Sequence, residues 1–509
     1  MSAPRPVDTL VVGAGAAGAV IAARASEDPS REVLLVEAGP DYAPEALPDE
    51  LRDGTRNALR DHDWGYAHLP ARGAASMFFP RGRVVGGSTA VNTCIALRGQ
   101  PYDYDEWGLP EWRWEHCLPA FRALERDLDF AEAPHHGADG PLPLRRAAPH
   151  ELGRWQEGFL EACRELGFPD CPDSNAPGAL GAGPHAMNVI GGRRISAAEA
   201  YLRPEVRARP NLRIRAGTIA LRVRFEGRRA VGVEVEGPGG PELLRARRVV
   251  LSAGAINTPG ILLRSGVGPR AQVEGFAGTC VADVPAVARR LLDHPGVAIV
   301  FEPRPGVSDP GGALIQTVLR LAGRRGRPAD LQIQAGSFLP LPGRDVPLTT
   351  LMFQVGKPRG HGTLRFPSAD PHAKPEIESA FFRDADDVRQ ADEALELVWL
   401  LGSARPLREL GRFALPGERT LARRHRAREL LRTQCGSGYH PCGTVPMGDA
   451  ARLAAGEAAC DARGRVRGTE GLLVADASAF PTVPSANTML PTLMLGERFG
   501  GWIRDGALD

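Results

Sequence analysis

Lysine is almost missing from this chain: of 62 basic residues only Lys357 and Lys374 are lysine, and the rest are arginine. The skew carries no functional weight, because 61 acidic residues leave a formal net charge of +1. A chain so balanced has no long-range attraction for nucleic acid or anionic lipid, so a small molecule is the expected partner. Long apolar runs are absent too. No uninterrupted stretch reaches the ~20 residues that a membrane-spanning helix needs, and none is expected. The opening MSAPRPVDTLVVGAG has no basic n-region, no long apolar h-region and no small-residue cleavage site, which points to the cytoplasm. The eight cysteines are scattered, with no C-x-x-C pair and no zinc-like spacing, so free thiols in a reducing compartment and no metal site are expected. Internal repeats and low-complexity tracts are lacking as well.

What is present is ordinary globular composition, 43% hydrophobic and 24% charged, over 509 residues. That length allows two or three packed units, some of them assembled from separated segments. Residues 7–39 read as one βαβ unit: strand from Val7 to Val12, the turn GAGAAG, helix from Ala19 to Ser26 and strand from Glu32 to Glu37. From about Pro40 to Gly82 a loop with short helices is expected. LRIRAG, ALRVRFEG and AVGVEVEG, between Asn211 and Gly237, alternate apolar and polar residues around Gly-containing turns and read as antiparallel strands. RRVVLSAGA, from Arg247, reads as another strand ending at a Gly turn. Between about Gly296 and Leu430 a sheet-plus-helix unit is expected, including the amphipathic helix DADDVRQADEALELVWLL.

Gly13, Gly15 and Gly18 follow a strand and open a helix, and Glu37 ends the next strand 19 residues after Gly18. Such glycines allow a tight turn and let backbone N–H groups approach a pyrophosphate at the positive end of the helix, while the acidic residue reaches ribose hydroxyls. This pattern specifies a dinucleotide and does not choose between NAD and FAD.

The choice comes from segments further on. GRVVGGSTAVNTCIALRG, from Gly82, and GAINTPGILLRSGVG, from Gly254, resemble the two signatures of the glucose-methanol-choline oxidoreductase family. LLDHP at Leu291–Pro295, HPCGTVPMG at His440–Gly448 and VADASAFPTVPSANTMLPTLMLGER at Val474–Arg498 continue the likeness in the family's order. Within the family, RGQPYDYDEW and PTVPSANTMLPTLML resemble bacterial hydroxymethylfurfural and aryl-alcohol-type oxidases. ALERDLDF is similar to actinobacterial members tied to mycofactocin.

The resemblance implies an α/β fold: a Rossmann-like FAD-binding domain with a second α+β substrate domain built on an antiparallel sheet. The FAD-binding domain is expected from residues 1–150, 191–295 and 436–509, the last carrying the catalytic residues. The substrate domain is expected from 151–190 and 296–435. The implied activity is FAD-dependent oxidation of a primary alcohol, possible donors being benzylic or furanic, with oxygen, a quinone or a mycofactocin-like carrier as electron acceptor. A flavin-containing hydroxynitrile lyase is the alternative from another reaction class, and a binding-only flavoprotein is a third.

Residue by residue, His440 and Asn487 are the implied catalytic pair. Hydride leaves an alcohol carbon easily only as the hydroxyl proton departs, so a near-neutral base must reach the oxygen, and an amide can donate to the developing alkoxide without titrating. For the cofactor, the implied residues are Gly13, Gly15, Ala16, Ala17 and Gly18 at the first turn, with Glu37 and Ala38 after the second strand. Gly86, Gly87, Ser88, Asn92, Thr93, Cys94 and Ile95 come from the first signature. Ala220, Ala253, Gly254, Asp476 and Ala477 complete the set, with Asn487 and Thr488. Relatives that attach flavin covalently use a His where Val91 stands here, so non-covalent FAD is expected. Gly438 and Tyr439 differ from the residues before the His in some relatives, which implies a different pocket. His294 is expected to satisfy backbone groups near a domain junction, and His135 and His136 read as loop residues. A nucleophilic role for Cys435 or Cys442, either side of His440, is the remaining alternative there.

Overall fold

The computed structural model describes residues 5–324, 326–341 and 344–509. The first four residues, part of the opening stretch read above for targeting signals, lie outside that range. The strands of the two larger sheets are, in chain order, Val7–Val12 (β1), Val33–Val36 (β2), Gly181–Pro184 (β3), Leu212–Arg215 (β4), Ile219–Glu226 (β5), Arg229–Gly237 (β6) and Gly240–Leu251 (β7). They continue with Pro295–Pro303 (β8), Thr317–Leu321 (β9), Leu331–Gly336 (β10), Thr349–Val355 (β11), Gly411–Leu415 (β12), Gly436–Ser437 (β13) and Leu472–Val474 (β14).

The first sheet runs β4-β2-β1-β7-β6-β5, with β14 beside β7. Its centre is parallel; β2 is a wholly buried apolar run and β1 ends in one, Leu10 to Val12, as strands covered on both faces require. β7 belongs to two regimes. Its first half pairs antiparallel with β6, and its second half, Ala246 to Leu251, pairs parallel with β1. LRIRAG departs from the antiparallel expectation: β4 pairs parallel with β2 and forms the outer edge. At this edge the two faces are unequally covered, with Leu212 buried and Arg213 exposed, so the strand alternates and its pattern imitates an antiparallel strand.

The helix after β1, Ala16–Ala25 (α1), begins three residues earlier than the sequence suggested and takes Gly15 as its N-cap. Alanine fills it, and only small side chains let it lie close on the sheet. A Cβ on Gly18 would sit 1.8 Å from the Gly13 carbonyl oxygen, so helix and turn are in backbone contact. A second helix, Gly254–Arg264 (α2), follows β7 in the same way.

The second sheet runs β12-β8-β11-β10-β9-β3 with β13 beside β8, and every pair is antiparallel. Helix Ala385–Ser403 (α3) covers one face, capped by Asp384, whose carboxylate accepts the Asp386 N–H at 2.8 Å. Its buried Ala391, Ala394, Leu395, Val398 and Leu401 recur at helical spacing and join the second of two apolar cores. Helix Met489–Arg504 (α4) returns the chain to the first core. Among the described residues no helix is long and apolar enough to cross a membrane. All eight cysteines are unpaired.

The segment after the first signature is held by a buried charge network. Arg98 bonds Glu125 at 2.6 Å, and both side chains are fully buried. Arg146 bonds Asp127 at 2.7 Å and Asp173 at 2.8 Å. His136 lies outside helix and strand, as expected, and is buried. Its Nδ1 meets Glu125 at 2.7 Å and its Nε2 meets Asp173 at 3.0 Å. With a carboxylate on each ring nitrogen the imidazole must donate twice, and it is cationic. Three cations then balance Glu125, Asp127 and Asp173, as buried charge requires. His135 and Asp127 bring enough donors for metal-like groupings, but Arg98, Arg146 and His136 already supply the positive charge.

Candidate active site

A continuous cavity of about 780 Å³ runs from the Gly turn after β1 to the face of the second sheet. At its first end the turn is forced. Gly13 has φ +97°, and a Cβ there would meet the Ser252 carbonyl oxygen at 2.4 Å. The first turn of α1 has no side-chain cap and no acidic residue, and Ala16 and Ala17 line the cavity, so its free N–H groups and the helix dipole face the open space. Glu37 also lines it. Its carboxylate accepts the Ala14 and Gly39 N–H groups, both at 2.9 Å, and burial raises its pKa although those bonds oppose the shift. Each oxygen keeps a second lone-pair direction for a ligand hydroxyl.

Gly87, Ser88, Asn92, Thr93 and Ile95 line the middle of the cavity, with Ala38, Ala220, Ala253 and Gly254. Gly13, Gly15, Asp476, Ala477, Asn487, Thr488 and His440 complete the expected residues on its wall. Gly18, Gly86 and Cys94 stand behind it. Gly86 donates its N–H to the Ala14 carbonyl at 2.8 Å, and a Cβ on Gly87 would lie 2.7 Å from Cα of Gly15. Glycine is needed there because two Gly turns are stitched backbone to backbone, besides any approach to a ligand. Cys94, buried with φ +60°, has the Arg194 guanidinium 3.0 Å from its sulfur. Asp476 bridges two motifs: it accepts the Gly254 N–H at 2.8 Å and the Thr258 hydroxyl at 2.6 Å, capping α2.

At the other end the side chains form a directed chain. His294 Nε2 lies 2.9 Å from the Pro484 carbonyl oxygen, His294 Nδ1 lies 2.8 Å from His440 Nδ1, and His440 Nε2 lies 2.9 Å from Asn487 Nδ2. A carbonyl can only accept, so His294 carries its proton on Nε2 and offers a lone pair at Nδ1. His440 must then donate from Nδ1, which leaves Nε2 as an unprotonated lone pair facing the cavity. Asn487 donates to it, and the amide oxygen of Asn487 is buried without a partner. Burial, then the neighbouring His294 and Arg81, hold His440 well below the ordinary histidine range, and burial lowers His294 to about 4. Both imidazoles are neutral.

Asp293 fixes the two backbones. Its Oδ1 accepts the N–H of His294 at 2.7 Å and of His440 at 2.9 Å, while Oδ2 accepts the Ser437 hydroxyl. Burial pushes Asp293 up to about 6. Before His440, Tyr439 takes φ +62° and is 41% exposed at the mouth of the cavity. Gly438 is crowded: a Cβ there would lie 2.8 Å from Nδ1 of His440 and 3.1 Å from Nε2 of Gln354. Cys435 and Cys442 are buried, and burial pushes the Cys435 thiol up to about 12 and that of Cys442 higher still, so neither thiol is a ready nucleophile.

The GMC oxidoreductase family description matches residues 7–296 and again 358–496. The chain belongs to the GMC oxidoreductase family. It is 35% identical to 5-(hydroxymethyl)furfural oxidase of Methylovorus sp. (strain MP688), over 96% of this chain and 97% of that protein. It is 34% identical to the mitochondrial choline dehydrogenase of Mus musculus, over 96% of this chain and 88% of that protein. Pyridoxine 4-oxidase from Mesorbium loti superposes with a TM-score of 0.88 at 28% identity, covering 97% of this chain and 98% of that one. The GMC oxidoreductase is accordingly an FAD-dependent enzyme acting on CH–OH donors. The donor set fits that cofactor: free helix N–H groups for a pyrophosphate, a carboxylate for ribose, and a glycine-walled middle.

Sequence reasoning assigned His294 a structural part only. It does satisfy a backbone carbonyl, but it also sets the tautomer of a histidine 146 positions away. The Asp-His pair of LLDHP was the available signal. Gln334 and Gln354 on the cavity wall had no signal beyond strand alternation.

Proposed function

We infer that this GMC oxidoreductase oxidises a primary alcohol, benzylic or furanic in type, to the aldehyde, with His440 as the base. The observation that carries the reading is the chain from Pro484 through His294, which leaves an unprotonated Nε2 beside an amide donor. A substrate hydroxyl entering between them donates to Nε2 and accepts from Nδ2 of Asn487. As the proton moves to His440, Asn487 stabilises the charge growing on oxygen, and the carbon-bound hydrogen leaves with its electron pair. When bound, FAD supplies the hydride acceptor and passes the electrons to oxygen or another carrier.

The FAD would be held by Gly13, Gly15, Ala16 and Ala17 at its pyrophosphate, by Glu37 at its ribose and by the segment from Gly87 to Ile95 near its ring. Val91, a buried aliphatic residue, offers no nucleophile where covalent relatives have histidine, so attachment is non-covalent. Apolar lining from Phe338, Leu339 and Met352 and the likeness to a furfural-type oxidase support an aromatic alcohol.

The test is an anaerobic screen of benzylic, furanic, aliphatic and amino alcohols against the FAD-loaded protein. Benzylic and furanic alcohols should bleach the flavin fastest, peroxide on admitting air identifies oxygen as acceptor, and acid should release the FAD. A loaded protein that no alcohol bleaches overturns the reading.

A further inference from the structure

Asn487 ends a segment, Pro481–Asn487, that belongs to no helix or strand. Among the described residues, no main-chain N–H or C=O from Pro481 to Ala486 bonds to another main-chain group. Its two prolines have no N–H to give, and its buried carbonyls must find donors elsewhere. Side chains supply them. Arg290 donates to the Pro481 carbonyl and Lys357 to that of Val483, both at 2.5 Å. Arg320 and Gln332 donate to the Ser485 carbonyl at 3.2 and 3.1 Å, and His294 takes the Pro484 carbonyl, the contact on which both histidine tautomers depend. Asp103, on the short helix Pro101–Asp105, accepts the Ser485 N–H at 2.9 Å and the Ser485 hydroxyl at 2.6 Å. Glu106 accepts the Thr482 hydroxyl at 2.8 Å.

Lys357 joins these anchors. It lies just past the end of β11 and is buried. Besides the Val483 carbonyl, its Nζ meets the Thr482 hydroxyl and Oδ1 of Asp103, both at 3.2 Å, and pairs with Glu106. One ammonium thus ties the catalytic segment to the carboxylates of residues 103 and 106. Its three N–H groups can turn toward oxygens that arrive from different directions, whereas a guanidinium donates in one plane from a rigid fork. In a chain that otherwise uses arginine, the buried cation here is lysine; the other lysine, Lys374, is exposed. We propose that Lys357 is a positioning residue for the oxidation: by holding Val483 directly and Ser485 through Asp103, it sets the Pro484 carbonyl against His294 and the Asn487 amide against His440. Both ends of the chain through His440 hang from this one segment, so a small shift of it misplaces the base and the amide donor together.

The inference rests on the alcohol-oxidising reading above, and a measurement without turnover separates the two. In FAD-loaded Lys357→Met, anaerobic stopped-flow reduction by the best alcohol of the screen should be about 10- to 100-fold slower at saturation, with the half-saturating alcohol concentration and FAD occupancy unchanged. Lys357→Arg keeps a cation beside Asp103 and Glu106, so it carries the test if the methionine variant does not fold, and it should show the same split with a smaller loss. A cycle with His440→Ala tells positioning from a general loss of structure. A residue acting through His440 costs little once the base is gone, whereas a merely structural one costs the same factor in both backgrounds. With no alcohol present, ring-nitrogen NMR of histidine-labelled protein should show His294 protonated on Nε2 in the wild type and a mixture of tautomers in the variants. Wild-type reduction rates in the FAD-retaining variants, equal factors in both backgrounds, or histidine signals indifferent to Lys357 overturn the proposal. If no alcohol bleaches the flavin while the histidine signals still depend on Lys357, the reaction reading fails and the positioning role stands.

Discussion

Replacing His294 by leucine tests whether the tautomer of His440 is set by its neighbour. The substitution removes the acceptor that His294 offers to His440 Nδ1. A proton left on Nδ1 is then buried and unpaired, at a cost of about 1–3 kcal/mol. The competing tautomer, with the proton on Nε2, finds a partner as soon as the Asn487 amide turns its free oxygen inward. That tautomer cannot accept a hydroxyl proton. At about 1.4 kcal/mol per tenfold, the reactive fraction falls about 5- to 150-fold. The assay is anaerobic stopped-flow reduction of the bound flavin by a benzylic alcohol, with FAD occupancy checked in each variant. His294→Asn, whose side-chain oxygen can occupy the place of Nδ1, should recover part of the rate. Wild-type rates in FAD-loaded His294→Leu would refute the tautomer argument.

Two further expectations follow from buried charge. Because burial keeps His440 neutral, the base is already unprotonated in mild acid; the flavin-reduction rate should stay flat from alkaline pH down past the ordinary histidine value of about 6.5, and an acid limb centred at about pH 7 or above would contradict it. In the distant network, Glu125→Leu leaves Arg98 and His136 without their shared carboxylate and should cost about 3–5 kcal/mol in urea unfolding. Burial works against the charged form of His136, but its bonds to Asp173 and Glu125 raise its pKa. Its stabilisation is thus full below about pH 6.5 and fades as pH rises through the raised value. A Glu125→Leu protein as stable as wild type would show that the network is not holding the segment.

The parts legible from sequence were those whose cause is local. β1, the Gly turn and Glu37 follow from a short apolar run, a run of glycines and one spacing, and the fold reproduces them with a helix start three residues early. His440 and Asn487 were reachable because each sits in a motif with neighbours of recognisable type. β4 was not, because an edge strand of a parallel sheet shows the same alternation as an antiparallel one. His294 depends on a partner 146 positions away, and nothing in LLDHP says which side chain its Nδ1 will meet. Gly86 and Gly87 of the first signature were expected at the cofactor, whereas Gly87 also abuts Gly15, a contact that exists only after folding. His136 looks like loop, and lies in one, yet it is buried against carboxylates from two separate segments, Glu125 and Asp127 on one and Asp173 on the other.

The central claim is that the unprotonated Nε2 of His440 takes the hydroxyl proton. Stopped-flow reduction of FAD-loaded His440→Ala by the best alcohol of the screen tests it most directly. Loss of the base should slow reduction by about 10²–10⁴-fold with FAD still bound. Near-normal reduction in that variant would contradict the account.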